Sequence, residues 1–403
     1  MTGKLAVLAG LLLSGAAHAE DVRLKPLVDA RLRYENVDQD GIAAAATALT
    51  LRIRPGAEAT SGPWSALVEG ETTLALVQDY NDGTNGRTRF PLVVDPRNVE
   101  LNRAQLRYAG KQGLTITAGR QRIELADQRF VGSSGFRQNE QTYDAVRAQW
   151  APAASRFSAD LTYAWSDRTI NGTHGTGARQ RAVDGDNVFA LLGYRTGIGM
   201  VTAFAYLVDQ DEAAVQVYRL SSQTYGLRFA GSRPLATDLK LGYVASWARQ
   251  SAFHRNPNRY AATYWLGEAT LSARALTVAG GYEVLGADQG VALTSVQTPL
   301  ASLFKWQGWA DKFATTPPDG LRDLYGTLGY GWKKPGPFDA ITLSASYHRF
   351  ASDRVVRLYG DEEDLLASVR RGRTTVSARY ARYRAASLFT DTDKFWLTVE
   401  WVL

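Results

Sequence analysis

Residues 28–36 read VDARLRYEN, and this stretch constrains the fold more than any other. Successive side chains on a strand point to opposite faces. Val28, Ala30, Leu32 and Tyr34 therefore share one face, and Asp29, Arg31, Arg33 and Glu35 share the other. Four charges on one strand face imply a water-filled interior, with an apolar environment on the far side. Residues 49–58 repeat the pattern, with Leu49, Leu51 and Ile53 outward and Arg52, Arg54 and Glu58 inward. Segments 157–166, 239–247, 276–284 and 341–348 alternate in the same way.

The N-terminus carries an export signal. Lys4 is followed by the apolar run LAVLAGLLL, and Ala17-His18-Ala19 is a small-x-small cleavage site, so the mature chain is expected to start at Glu20. The apolar run is too short to span a bilayer, and no later run reaches the length of a spanning helix. The expected organisation is a signal peptide over residues 1–19 and one domain over 20–403.

Short turn signals at Ser61-Gly62-Pro63, Ala109–Gly113, Thr196-Gly197, Gly231–Pro234 and Lys333–Pro337 separate many segments. They alternate with longer polar stretches at 80–98, 126–139, 168–186, 209–223, 250–258, 286–320 and 385–393. Short turns on one side and long loops on the other are the arrangement of an outer-membrane barrel. At roughly 20 to 22 residues per strand and connection, the mature chain accommodates 16–18 strands, and 18 is the expected number. The predicted fold class is all-β: a transmembrane antiparallel up-and-down β-barrel wide enough for an aqueous channel. Residues 114–122 break the alternation, because parity carries Arg120 and Arg122 to the lipid side. Either a bulge near Gly119 flips the register or the strand has left the membrane by then, and the second is expected.

Composition narrows the chemistry. Cys is absent, which excludes disulfides, thiolate metal sites and Cys nucleophiles. His174, His254 and His348 have no metal-ligand spacing, so neither metal nor cofactor is expected. Of 46 basic residues nine are Lys and 37 are Arg, at a net charge of +6. Arg grips carboxylate and phosphate with a planar fork, which suits an anion-handling lumen. The competing reading is that Arg pairs across strands with the 40 acidic residues. Ten Trp and 19 Tyr suit interfacial girdles, and sugar-stacking platforms use the same residues. Asn81-Asp82-Gly83 and Asp361–Asp364 do not match a Ca²⁺ loop. Basic residues dispersed at strand period do not form a nucleic-acid patch.

Three segments carry a family resemblance: GRQRIELADQRFVGSSGFRQNEQTYDAVR (119–147), TPLASLFKWQGWADKFATTPPDGLRDLY (298–325) and the ending TDTDKFWLTVEWVL with ARYARYRA before it. They resemble the alginate export porin family. The resemblance implies an 18-stranded monomeric outer-membrane barrel with an electropositive, Arg-lined pore narrowed by inward-folded loops. Barrels of this kind end in a strand recognised by the assembly machinery, usually with a terminal aromatic residue. Leu403 stands there instead, and Trp401 partly compensates.

Asp29, Arg31, Arg33, Glu35, Arg52, Arg54 and Glu58 are expected to line the lumen, joined by Arg103, Arg107 and Arg147. Arg129, Arg137 and Asn139, in a Gly-containing loop, are expected at the pore mouth; the alternative is an external loop pinned by Arg–Asp pairs. The long aromatic connection 286–320 either caps the pore, with Lys305, Asp311 and Lys312 facing the permeant, or is a plug that stiffens the barrel. The leading function is a passive channel for an anionic or polyhydroxylated saccharide. A diffusion porin for small anionic or aromatic nutrients, and a non-conducting structural barrel, are the alternatives. No Ser/His/Asp signature supports an enzyme. The expected partners are outer-membrane lipid and lipopolysaccharide, the solute and the barrel-assembly machinery, with no nucleic acid.

Overall fold

The computed structural model describes residues 22–403, and the expected cleavage site after Ala19 lies outside them. Eighteen antiparallel strands form one closed sheet among the described residues. Each pairs with its neighbours in the chain, and β1 (Arg23–Gln39) closes the barrel against β18 (Thr392–Val402) and pairs with β2 (Ala46–Ser61) on its other side. Closure leaves no sheet edge, so the backbone polar groups of the wall are paired strand to strand, as hydrocarbon requires.

The wall continues through β3 (Trp64–Asp79), β4 (Asn98–Ala109), β5 (Leu114–Gln121), β6 (Thr142–Trp150), β7 (Phe157–Arg168), β8 (Ala182–Arg195) and β9 (Met200–Val208). The second half comprises β10 (Ser222–Ala236), β11 (Leu239–Ala252), β12 (Ala261–Ala273), β13 (Leu276–Leu285), β14 (Leu321–Lys333), β15 (Ala340–Ala351), β16 (Leu358–Arg371) and β17 (Thr374–Ala385). Short turns lie at the end that holds the start of β1 and the end of β18; the long connections lie at the other. Two single-turn 3₁₀ helices, Gln216–Tyr218 and Leu303–Lys305, are the only helical elements among the described residues.

The outer face follows the parity expected. Leu32 pairs laterally with Leu51 and Val399, and all three face outward. Trp64 with Tyr108, Phe157 with Tyr194 and Tyr330 with Trp332 form aromatic contacts near the turn end. Trp247 with Trp265 and Tyr163 with Trp165 do so nearer the loop end. Rings gathered at two heights with aliphatic side chains between them match the two interfaces of a membrane.

Three features depart from the sequence reading. Gly231–Pro234 lies inside β10, and the turn follows at residues 237–238; Gly231 packs under Tyr243 and continues the strand. Two further long-side connections, 40–45 and 352–357, are too short to read as loops from composition. The β3–β4 register shifts between Glu69 and Gly70, so Asn102 is an extra residue on β4. This bulge turns both Asn102 and Arg103 inward.

At the top of β5 the strand ends at Gln121, before Arg122. Arg120 is still paired, and its guanidinium meets Asp144 of β6 at 2.7 Å, so its outward charge is neutralised locally. Arg122 turns toward Glu140 at 2.6 Å.

Candidate functional site: a loop-narrowed lumen

The lumen narrows because the loops 122–141 and 286–320 fold into it, helped by 80–97. The inward charges of β1 and β2 hold the first of these in place. Arg31 Nη1 donates to the carbonyl oxygens of Gly135, Phe136 and Arg137 at 3.0–3.2 Å. Its other nitrogens grip Glu400 of β18. Arg33 lies over the Phe136 ring at 4.1 Å and pairs with Asp95 of the 80–97 loop at 3.4 Å. Asp95 in turn accepts the Gln138 amide at 2.9 Å. Arg52 pairs with Asp29, and Arg54 with Glu71 at 2.6 Å and Glu140 at 3.5 Å. Arg33 and Arg52 are both almost wholly buried: Arg33 anchors the loops, and Arg52 braces the wall through Asp29 and Glu400.

Glu140 is the centre of this anchoring. It accepts from Asn102 at 2.9 Å, and Arg54 and Arg122 flank it. Burial opposes ionisation, but the two guanidiniums outweigh it and bring the Glu140 carboxyl down to about 2.

Loops 122–141 and 286–320 also lock to each other. Gly132 N–H donates to Leu300 O at 2.8 Å, and Ser302 N–H to Gln128 O at 3.1 Å. Arg129 pairs with Glu283 of β13 at 2.6 Å and donates to Thr298 Oγ1 at 2.8 Å. Burial works against the Arg129 charge, yet Glu283 more than compensates and raises its pKa. Arg137 pairs with Asp311, and the Phe136 and Phe304 rings stack.

The expected residues therefore separate into groups. Arg31, Arg33, Arg137, Lys305 and Asp311 line one cavity of about 660 Å³. Arg129 and Asn139 do not: Arg129 is the clamp between loops, and Asn139 is buried, donating to Pro96 O and Ile170 O. Gly132 packs against Ser302 and Gln128, so this Gly-containing stretch folds sideways onto the neighbouring loop. Lys312 packs over the Tyr383 ring at 5.8 Å, away from that cavity. Burial and the nearby Lys394 bring the Lys312 ammonium down to about 8. Asp29, Glu35, Arg52, Arg54, Arg103 and Arg147 face inward as wall groups, Arg103 pairing with Glu69 at 2.7 Å and Arg147 with Asp160 at 2.5 Å. Glu58 and Arg107 face the open turn end of the lumen, without an ion pair among the described residues.

The same cavity holds residues that the sequence reading did not single out: Arg179, Arg379, Glu124 and Glu400. Its cations are Arg31, Arg33, Arg137, Arg179, Lys305 and Arg379, against three acids, Glu124, Asp311 and Glu400. Arg179 and Arg379 make no ion pair among the described residues. Arg379 lies 5.4 Å from the Phe136 ring and 5.6 Å from Trp309, its charge open to the cavity. Parity could have found it, because Arg379, Ala381 and Tyr383 share the face opposite Tyr380 and Arg382.

Solved structures with this fold include Acinetobacter baumannii OccAB3 (13% identity, TM-score 0.67, covering 94% of this chain and 99% of that one). Pseudomonas aeruginosa OpdL (15%, 0.66, 94% and 98%) and OccD3, also called OpdP (13%, 0.67, 96% and 93%), match similarly. At these identities the likeness establishes the barrel fold, that of outer-membrane porins. A search of curated protein sequences found no match. The family model described as alginate export matches residues 23–281, well over half of the chain. With 18 strands, a lipid-facing belt and a loop-narrowed lumen, the chain is an outer-membrane β-barrel channel that belongs to the alginate export family.

Proposed function

We propose that the channel passes anionic saccharides passively, through the Arg-lined cavity between the loops 122–141 and 286–320. The observation that carries this reading is the cavity's unbalanced charge, with Arg179, Arg379 and Lys305 lacking ion-pair partners among the described residues beside cations that are neutralised. A carboxylate leaving water regains hydrogen bonds from such guanidiniums, and several weak contacts allow it to leave again. The channel performs no chemistry in this reading. Lipid and lipopolysaccharide cover its outer face, the barrel works as a monomer, and β18 is the segment read by the assembly machinery. Export and cleavage after Ala19 belong to the same proposal.

One observation favours the second reading, uptake of small anionic nutrients. A cavity of about 660 Å³ falls within the range that holds a small organic ligand. Reversal potentials in planar bilayers under a salt gradient test the anion reading. Wild type should be anion-selective, and Arg379→Gln should shift the reversal potential toward cations. Uronate oligomers should block the wild-type current more strongly than neutral oligosaccharides of equal length. Equal permeability to both ions, with no block by any polyanion, would sink the proposal; block by monomeric anions alone would favour the small-nutrient reading.

A further inference from the structure

Residues 305–311 of the long β13–β14 connection cross the lumen as a strap. Lys305 and Trp309 line the Arg-rich cavity on one side and a second cavity of about 320 Å³ on the other. The second cavity is walled by Glu268, Glu283, Asp323, His348 and Asp364, so the strap separates a basic lobe from an acidic one.

Few polar contacts hold the strap. At its first end Lys305 Nζ donates to the Asp127 carbonyl oxygen at 3.0 Å, and Gln307 donates to Glu283. At its second end the Trp309 amide donates to Asp364 at 3.3 Å and the Ala310 amide to Glu362 at 2.6 Å. Asp311 closes this end by pairing with Arg137. Glu362 and Asp364 sit two residues apart on the inward face of β16, both almost wholly buried. The second oxygen of each has no hydrogen-bond partner, so the strap amides are their principal satisfaction. His348, with Nε2 3.9 Å from Asp364, is held by Asp323 on its other nitrogen.

The strap backbone is held under tension. Gln307 (φ +52°) and Asp311 (φ +63°) occupy the left-handed region, which residues with a side chain rarely adopt. Gly308 (φ +76°) lies with its Cα hydrogens against the Glu362 carboxylate, where a methyl group would not fit. A strained segment fastened at its ends has the construction of a displaceable element.

We propose that Glu362 and Asp364 form a latch that sets the size limit of the channel. While they grip the amides of Trp309 and Ala310, the lumen is two narrow lobes; when the grip is released, the strap leaves and the lobes merge. The proposal rests on the channel reading above only in requiring that the barrel conducts. It assigns these acids a positioning role, acting through the strap on the permeant.

The test is single-channel conductance together with the size of polyethylene glycol that still enters the pore. Replacing both acceptors (Glu362→Ala with Asp364→Ala) should raise conductance about 1.5-fold or more, the ratio implied by adding the second lobe, and admit larger polymers. Glu362→Gln with Asp364→Asn keeps the acceptor oxygens and should remain near wild type. Wild-type conductance and size limit in the alanine pair would overturn the latch. The chain has no Cys, so Ala310→Cys with Glu362→Cys and Asp364→Ala supplies a second test, in which the disulfide alone replaces both grips. Oxidised, the pair should conduct as wild type; reduced, it should widen reversibly. Identical conductance in both states, with the disulfide verified by mass, would also overturn it. A latch variant that widens a pore without anion selectivity would retain this proposal and remove the anion reading.

Discussion

Glu140→Gln tests whether the lumen charges anchor the loop as the geometry requires. The native carboxyl sits between Arg54 and Arg122 and accepts from Asn102. Its ordinary value is 4.5 and it titrates at about 2. At about 1.4 kcal/mol per tenfold, its native partners favour the ionised form by on the order of 3 kcal/mol. Gln keeps the shape and an acceptor oxygen but leaves Arg122 without its one ion-pair partner among the described residues. Arg54 retains Glu71 at 2.6 Å, so the loss falls on the loop more than on the wall. Because the Glu140 value is depressed, its contribution is complete above about pH 4.5 and is lost as the pH falls toward 2. Hydrogen exchange read by mass spectrometry across residues 122–141 provides the measurement. At neutral pH the variant should exchange there on the order of 100-fold faster, the rate equivalent of about 3 kcal/mol. Protection in the wild type should fall below pH 4.5, while the variant should lose less over the same range. Wild-type protection in the variant at neutral pH would show that the Glu140 carboxylate does not hold the loop.

Other substitutions probe separate parts of the wall. Leu32→Arg places a cation in lipid, because Leu32 is 39% exposed on the outer face. It should cost about 2–4 kcal/mol in urea unfolding from lipid vesicles. Arg129→Ala removes the buried partner of Glu283, and should release the contact between the two lumen loops by about 3–5 kcal/mol, typical of a broken buried pair; new protease cleavage within 126–134 would report it. Gly119→Ala forces a side chain onto φ +111° and against the Ala104 carbonyl. It should cost about 1–3 kcal/mol, seen as a lower temperature for loss of the folded gel mobility.

The barrel was legible because its information is local. Alternation at period 2 needs no knowledge of partners, so Asp29 to Glu35 and Arg52 to Glu58 were assigned to the wet side from parity alone. Bulges are where parity stops working: the extra residue at Asn102 puts two neighbours on the same face, and nothing in LNRAQLR announces it. The loop positions were less legible because they depend on distant contacts. Arg31 holds carbonyls more than 100 residues away, and Arg129 meets an acid 154 residues away. A Gly-containing loop rich in Arg reads as a pore mouth until those partners are known. Arg129 and Asn139 then appear as fasteners behind the surface, and Arg379, in the ARYARYRA segment but not singled out there, appears at the cavity.

The same contrast bears on what an Arg-rich barrel means. Most inward cations face a carboxylate at hydrogen-bond distance: Arg103 with Glu69, Arg147 with Asp160, Arg129 with Glu283. Removing such a pair from water costs more than it returns unless every nitrogen is satisfied, and Arg129 Nη2 and two nitrogens of Arg52 have no hydrogen-bond partner among the described residues. Arg103–Glu69 and Arg147–Asp160 brace neighbouring strands, and Arg129–Glu283 holds a loop against the wall. They add nothing to selectivity, because their field is cancelled within a few ångströms. Selectivity must come from the uncancelled remainder, Arg179, Arg379 and Lys305. Replacing a paired wall couple together, Arg103→Gln with Glu69→Gln, should therefore change stability and leave the reversal potential unaltered. Arg379→Gln should do the opposite, since its guanidinium, although it donates to Ser377 and lies beside Phe136 and Trp309, faces no carboxylate at ion-pair distance among the described residues. A reversal potential that moved as strongly in the Arg103–Glu69 replacement as in Arg379→Gln would show that unpaired charge does not govern what passes.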